Sequence, residues 1–180
     1  MTLHGSKNDI FELDSIDLKI LTALQENARI TNIDLCDKVG LSPSPCLSRV
    51  KALEMAGFIS RYVTLLDPLS VGLSVSVFVQ IRLEKQVESA LVTFESTIAT
   101  KPEVMECYLM TGSADYLLRV VVPNLQEFQR FVIDLSKIRG VGNIQSSIAL
   151  KQVKYKTALP LPIKDSLQRQ GRHGANKRSP

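Results

Sequence analysis

The sequence predicts an α+β protein of two small domains, an all-helical one followed by one in which strands and helices alternate. Two observations support this: three capped helix starts fall within the first fifty residues, and a strand-like alternation of apolar residues begins near Ser74. Between them, residues 67–73 are rich in Pro, Ser and Gly. We therefore expect a flexible N-terminus (1–12), a helical domain (13–66), a linker (67–73), a second domain (74–156) and a flexible basic tail (157–180).

Two short helices begin the helical domain, and each has a capping residue at its start. Asp14 is expected to cap the first helix, with Asp17 near the first-turn amides. Thr31 is expected to cap the second, which ends at Gly40, a residue free to adopt positive φ. One apolar face of the first helix consists of Ile16, Ile20, Leu21 and Leu24.

A third helix is expected to begin at Ser42, with Pro43 and Pro45 in a first turn whose amides need no helical acceptor. At 100° per residue, Val50 is the centre of its buried side, which comprises Cys46, Leu47, Leu53 and Gly57. The opposite face carries small polar residues between cations, namely Ser44, Pro45, Ser48 and Ala52, flanked by Arg49 and Lys51. Three helices with a Gly-containing turn, followed by a β-rich stretch from Phe58 to Leu66, predict a winged helix-turn-helix.

The second domain begins with a strand from Ser74 to Leu83, in which Val and Ile alternate with mostly polar residues. Helical spacing follows at Val87, Ala90, Leu91, Phe94 and Ile98.

Two further strands, Val104 to Met110 and Tyr116 to Val122, flank a turn from Gly112 to Asp115. Asn124 and Glu127 start another helix, and a last strand runs from Ile144 to Leu150, with a continuation to Tyr155 left open. The order βαββαβ predicts a ferredoxin-like sandwich, with both helices on one face of an antiparallel sheet.

The other face of this sheet would be left without cover in a single chain. Phe78 lies there among polar residues, and Tyr108, Met110, Tyr116 and Leu118 are expected to add apolar area. Since large exposed apolar surfaces mark interaction sites, we expect a dimer formed sheet against sheet.

The net charge of +4 looks like a signal of nucleic-acid binding, but it is concentrated in the tail. Residues 151–180 hold eight Lys or Arg against Asp165, a charge of +7, so residues 1–150 carry −3. Bulk basicity therefore gives no support for DNA binding by the two domains, and the position of individual cations must decide.

Catalysis is not expected, and neither is a metal or an organic cofactor. The two histidines, His4 and His173, lie in polar end segments, and no phosphate loop, nucleophile elbow or metal-spaced cluster is present. The three widely spaced cysteines are typical of buried reduced thiols. No secretion signal or membrane span is recognisable, which predicts a soluble cytoplasmic protein.

The exposed face of the third helix is suited to the major groove of double-stranded DNA. Arg49 is the best candidate for reading a base, because its guanidinium can make paired bonds to guanine. Ser44 and Ser48 can bond base edges or phosphates, and Lys51 and Arg61 fit phosphate contacts. The alternative is a solvated face with Arg49 pairing Asp37 or Glu54. The predicted DNA-binding residues are Ser42, Ser44, Pro45, Ser48, Arg49, Lys51 and Arg61.

Several segments resemble one known family in order and spacing. They read LDSID (13–17), NARIT (27–31), VGLSPSPC (39–46), RVKALE (49–54), ECY (106–108) and DYLL (115–118). From about Leu13 to Lys156 the chain resembles the leucine-responsive and asparagine (Lrp/AsnC) regulators. The resemblance implies a dimer that assembles into octamers, binds DNA and responds to a small amino acid, for which a branched-chain one is a candidate.

The resemblance also implies an effector site between dimers, formed by the turn after the second strand and by the last strand. Here these are Gly112, Ser113, Ala114 and Asp115, with Ser146, Ser147, Ile148 and Ala149. The family often has Asp directly after this glycine, whereas Ser113 stands here, so Asp115 would have to meet the ligand's ammonium alone. The alternative for residues 112–115 is a plain hairpin turn.

Two other functions remain open from the sequence. The protein could organise DNA without specificity, with octamers wrapping DNA and the basic tail adding phosphate contacts. It could also be an amino-acid-sensing subunit that acts on an enzyme, although that reading leaves residues 42–54 unexplained.

Overall fold

A computed structural model describes residues 12–162 of the chain. The N-terminal part contains three helices, and the C-terminal part contains four strands and two helices in the order βαββαβ. The elements are α1 (Ser15–Glu26), α2 (Asn32–Val39), α3 (Pro43–Met55), β1 (Val75–Leu83), α4 (Glu88–Ala99), β2 (Val104–Leu109), β3 (Tyr116–Val122), α5 (Leu125–Ser136) and β4 (Val141–Ile148).

The described chain forms two compact units whose limits differ from the predicted domains. The helical unit contains residues 12–64 together with 155–162, and the sheet unit contains residues 65–154. Tyr155 and Lys156 were expected in the second domain, and the following residues in a flexible tail. The structure instead groups residues 155–162 with the helices, while the rest of the predicted tail lies outside the described residues.

The helical unit starts its helices largely as its sequence predicts. The Asp14 side chain accepts hydrogen bonds from the Ile16 and Asp17 amides at 2.8 Å, and the Asp17 side chain accepts one from the Asp14 amide. Thr31 caps α2, and Gly40 ends it with a φ of 75°. Ser42 stands at the start of α3, but its side chain makes no capping bond. Ser42 therefore occupies the predicted N-cap position, but the predicted capping by its side chain is wrong.

The core of this unit lies between the three helices. Cys46 and Leu53 of α3 are fully buried, whereas Leu47 and Gly57, predicted on the same side, are exposed. The Cys36 and Cys46 thiols contact each other in this core, and burial followed by that contact raises the pKa of Cys46 to about 11. The buried core residues are Ile20, Leu21, Ala23, Leu35, Cys36, Val39, Cys46 and Leu53.

The predicted wing does not form β-structure in the single chain. Residues 58–66 contain no strand, and Val63, Leu65 and Leu66 are exposed. Tyr62 nevertheless ties this stretch to α3, because its hydroxyl donates to Glu54 Oε1 at 2.9 Å. No strand in the described part of the chain runs beside residues 59–66, which explains why their β-branched and apolar pattern does not lead to a strand.

The sheet unit is a four-stranded antiparallel sheet in the order β2-β3-β1-β4, with α4 and α5 on one face. This is the predicted ferredoxin-like arrangement. Alternate residues of β1 and β3 face the helices and are buried with Phe94, Ile98, Phe131 and Leu135. β4 begins at Val141 and ends at Ile148, so it does not continue to Tyr155.

The open face of the sheet differs from the prediction in two residues. Tyr116 and Leu118 are buried on the helix side, because they are in register with Ile81 and Val79. Tyr108 and Met110 are exposed, as is Phe78. Arg119 lies opposite Phe78 and forms an ion pair with Glu106 at 2.8 Å. The open face is therefore more polar than its sequence suggested.

Candidate nucleic-acid interface and ligand-binding domain

One side of α3 presents a solvent-exposed polar stripe. Ser44, Ser48 and Lys51 are exposed and lie on one side of the helix at intervals of four and three residues. Within residues 12–162, none of the three side chains has a hydrogen bond or an ion pair. The stripe is therefore free to contact a ligand, and helix geometry aligns its side chains along one line.

The first turn of α3 is held in place by the preceding helix. Asn32 Nδ2 donates to the Pro43 carbonyl oxygen at 3.0 Å, and the Cys36 thiol donates to the Asn32 carbonyl oxygen. Pro43 and Pro45 leave this turn with fewer amides than usual, and Ser42 adds no side-chain bond. The exposed start of α3 is thus oriented by α2 rather than by its own cap.

Arg49 lies on the flank of α3 and faces α1. Its Nη1 contacts Asp14 Oδ2 and Asp17 Oδ1, each at 2.7 Å, and its side chain is 35% exposed. Neither Asp37 nor Glu54, the partners considered from sequence, is involved. Arg49 therefore joins α3 to the start of α1, while the remaining guanidinium donors stay available to a ligand.

This ion pair affects the protonation of Asp14. Hydrogen bonding from the Asp17 amide lowers the pKa of Asp14, and the bond and charge of Arg49 lower it further. Asp17 is 4% exposed and is the buried member of the trio. The two carboxylates serve both as the capping box of α1 and as the anchor of Arg49.

The remaining predicted contacts of the helical unit surround this stripe. Ser42 and Pro45 are exposed at the start of α3, and Arg61 is exposed in the stretch that follows it. Six of the seven predicted residues are thus exposed, and Arg49 is half-buried.

The predicted effector turn is a tight hairpin between β2 and β3. Gly112 has a φ of 117°, a conformation that side chains rarely adopt, and Ser113 is exposed next to it. The Met110 amide donates to the Asp115 carbonyl oxygen at 2.8 Å and closes the turn.

Asp115 is buried beneath this turn. Its Oδ2 accepts from the Leu83 amide at 2.7 Å, and its Oδ1 accepts from Gln86 Nε2. Only 5% of the residue is exposed, and each carboxylate oxygen accepts one of these hydrogen bonds. The carboxylate therefore holds the hairpin to the end of β1, and its expected contact with a ligand's ammonium stays a prediction.

One chain does not bring the two halves of the predicted effector site together. Ser146, Ser147 and Ile148 pair with the beginning of β1, at Val77 to Val79, and the Ala149 amide donates to Ser76. The hairpin contacts the opposite end of β1, at Ile81 and Leu83. At about 3.4 Å per residue, the centres of the two contacted stretches, Phe78 and Arg82, are about 14 Å apart along the strand.

A cavity of about 330 Å³ lies elsewhere in the sheet unit, between α4 and β2. It contains none of the predicted effector residues. Its lining consists of Glu95, Ile98, Ala99, Val104, Met105, Glu106, Cys107, Leu109 and Tyr116.

Three structural roles were not predicted from the sequence. Asn32 holds α3, Asp17 holds Arg49, and Gln86 holds Asp115. For the contact of Asp17 with Arg49, the sequence offered only the opposite charges of two residues on separate helices. It gave no indication of the contacts of Asn32 and Gln86, because periodicity indicates which face is buried and not which polar partner lies opposite.

No helix in the described part of the chain is both long and apolar enough to span a bilayer. Among residues 12–162 there is also no group of three or more His, Cys, Asp or Glu side chains placed to hold a metal ion.

Two family models match the chain along most of its length. Residues 13–60 match a winged helix-turn-helix DNA-binding model, and residues 76–159 match the Lrp/AsnC ligand-binding domain. The first match contains α1 to α3, and the second contains the βαββαβ elements except Val75, the first residue of β1.

Curated relatives and solved structures agree with these matches. The Bkd operon transcriptional regulator of Pseudomonas aeruginosa is 48% identical over 83% of this chain and 99% of its own. The leucine-responsive regulatory protein of Serratia marcescens is 36% identical over 87% and 96%. A transcriptional regulator of Neisseria meningitidis, solved with L-methionine, is 43% identical with a TM-score of 0.81 over 84% and 98%. The chain belongs to the Lrp/AsnC family of transcription regulators, with a DNA-binding helix-turn-helix and a ligand-binding domain.

Proposed function

We propose that the protein binds specific double-stranded DNA sequences through the exposed stripe of α3. The observation that carries this proposal is that Ser44, Ser48 and Lys51 lie exposed and unpaired, within the described residues, on a helix whose opposite side is buried. Small serine side chains allow the helix to approach base edges closely, and Lys51 and Arg61 can neutralise phosphates. Ser42 and Pro45 lie at the same helix start, where exposed amides favour a phosphate.

Arg49 has two roles in this proposal. Its Nη1 positions α3 against α1 through Asp14 and Asp17, and its other donors reach towards a base. A guanidinium that is already held in place loses less conformational entropy when it binds, which favours paired contacts to guanine.

We also propose that a small amino acid regulates this binding, from a site shared between copies of the chain. The two halves of the predicted site, residues 112–115 and 146–149, lie at opposite ends of β1 in one chain. A second copy that supplies the missing half would complete the site, which supports a homo-oligomer, a dimer or octamer. Such a regulator works in the cytoplasm, where the DNA is, and is not an enzyme.

Ser48→Ala tests the DNA stripe. We expect it to lower the preference for DNA upstream of the protein's own coding region, relative to unrelated DNA, by about fivefold, because a hydrogen bond to a base edge is lost. Lys51→Ala should weaken both DNAs alike and lower the salt slope by about 1. Fluorescence anisotropy between 50 and 200 mM salt measures both quantities.

Ser96→Ala, which removes an exposed helical serine of α4, is the matched control and should bind as the unmodified protein does. If the unmodified protein shows no preference at physiological salt, or if Ser48→Ala keeps it in full, the stripe does not read DNA.

A melting-temperature screen against the amino acids, with and without promoter DNA, tests the effector. A ligand at about 100 times its Kd adds about 2.7 kcal/mol to the stability of the folded state, so the true effector should raise the midpoint by several degrees. Ser113→Arg should abolish the shift by filling the exposed turn, whereas Ser96→Arg should not. An absence of any shift in both conditions would leave a ligand-independent regulator.

A further inference from the structure

The segment after β4 returns to the helical unit and binds α1. Gln25, on α1, clasps the backbone of Leu159: its Oε1 accepts from the Leu159 amide at 2.6 Å, and its Nε2 donates to the Leu159 carbonyl oxygen at 3.4 Å. A primary amide that pairs with both backbone groups of one residue fixes that residue as a neighbouring strand would. This clasp joins positions 134 residues apart in the sequence.

Two residues further on, Leu161 enters the core of the helical unit. Its side chain is partly buried and packs against the cluster formed by Ile20, Leu35 and Leu53 and their neighbours. The Leu159 side chain, in contrast, is 69% exposed, so this residue contributes only its backbone. Leu159 therefore provides the polar backbone contact and Leu161 the apolar side-chain contact. Two residues apart, they follow the alternation of an extended chain.

The match to the ligand-binding domain ends at residue 159, on the residue that α1 clasps. The helical unit is consequently connected to the sheet unit twice along the chain, once through residues 65–74 and once through residues 149–154. The second connection starts directly after Ile148, the last residue of β4.

We propose that residues 157–162 form a strap that completes the core of the DNA-binding unit and tethers the chain after β4 to α1. The stability of α1 then depends on this strap as well as on its packing against α2 and α3.

Leu161→Ser in the full-length protein tests the apolar anchor. We expect the slowest backbone amides of α1 to exchange with deuterium about tenfold faster, because the helix opens more readily once this contact is lost. Leu159→Ser is the matched control: it lies in the same segment, its side chain is exposed, and it should change α1 exchange by less than about twofold. Mass spectrometry of peptides from residues 15–26 measures both.

Gln25→Met tests the clasp and does not require the core to tolerate a polar residue. It keeps the length of the side chain but removes both bonds, so the Leu159 amide should exchange about tenfold faster while α1 stays helical, and a peptide that includes residues 157–162 reports this one site. The strap is overturned if Gln25→Met leaves exchange in residues 157–162 unchanged. It is also overturned if Leu161→Ser and Leu159→Ser affect α1 equally.

Discussion

Arg49→Ala should lower the free energy of unfolding of the helical unit by about 2 kcal/mol, a typical loss for hydrogen bonds to charged groups. The substitution removes two contacts of 2.7 Å and leaves the Asp17 carboxylate, 4% exposed, without its cation. A buried carboxylate without a partner is costly, which makes this effect large for a residue on a helix flank. Chemical denaturation followed by circular dichroism measures the loss, and Arg29→Ala, at another exposed arginine, should have almost no effect.

The same ion pair predicts a dependence on pH. Because folding lowers the pKa of Asp14, this group stabilises the folded protein above its ordinary pKa and loses that contribution as the pH falls below about 4. In Arg49→Ala, one cause of the lowered pKa is gone, so the decline in stability between about pH 5 and 2 should be shallower. An equally steep decline would show that Arg49 does not act on Asp14.

Arg49→Lys separates the two roles of the residue. Lysine keeps a charge next to the aspartates but has no planar fork for guanine. We therefore expect most of the stability to remain while the preference for promoter DNA falls. If stability and preference are both retained, Arg49 is a positioning residue only.

Asp115→Ala should lower the free energy of unfolding of the sheet unit by about 3 kcal/mol. The carboxylate accepts from the Leu83 amide and from Gln86, and alanine would leave that buried amide without an acceptor. Ser113→Ala, at an exposed position of the same hairpin, should change stability by less than about 0.5 kcal/mol. Thermal and urea unfolding in the absence of any amino acid measure both variants.

This measurement also decides between two roles for Asp115. A residue that serves mainly as a ligand contact would leave the stability of the ligand-free protein unchanged when it is replaced. A large loss without ligand would confirm that the carboxylate fastens the hairpin to β1.

The features that local chemistry determines were predictable from the sequence. Asp14, Thr31 and Gly40 were assigned to the ends of α1 and α2 because capping depends on residues three or four apart. The alternation of apolar residues in β1 identified its buried side correctly, and the order βαββαβ predicted the antiparallel four-stranded sheet.

The features that depend on distant partners were not predictable. Tyr116 and Leu118 were assigned to the open face, although their register with β1 places them in the core. Leu47 shares a helix side with Cys46, yet no element covers it. The partners of Arg49 and Asp115 belong to other elements, and helical or strand periodicity has no information about them. The strap was classed with a flexible basic tail because the composition of the later residues was applied to the whole of 157–180, although Ala158, Leu159 and Leu161 are apolar.

The paired thiols of the helical core provide an internal reporter of its opening. Cys36 and Cys46 are 2% and 0% exposed, and the raised pKa of Cys46 keeps its thiol protonated at neutral pH. A cysteine thiolate attacks an alkylating reagent, and burial keeps the reagent away from both residues while the three helices stay closed. Cys107, in the sheet unit, is exposed, which corrects the expectation that all three thiols are buried, and its labelling rate serves as an internal standard. The chain has no tryptophan to serve as a fluorescent probe of this core. The labelling rate of Cys36 and Cys46 therefore offers another measure of how often α3 separates transiently from α2.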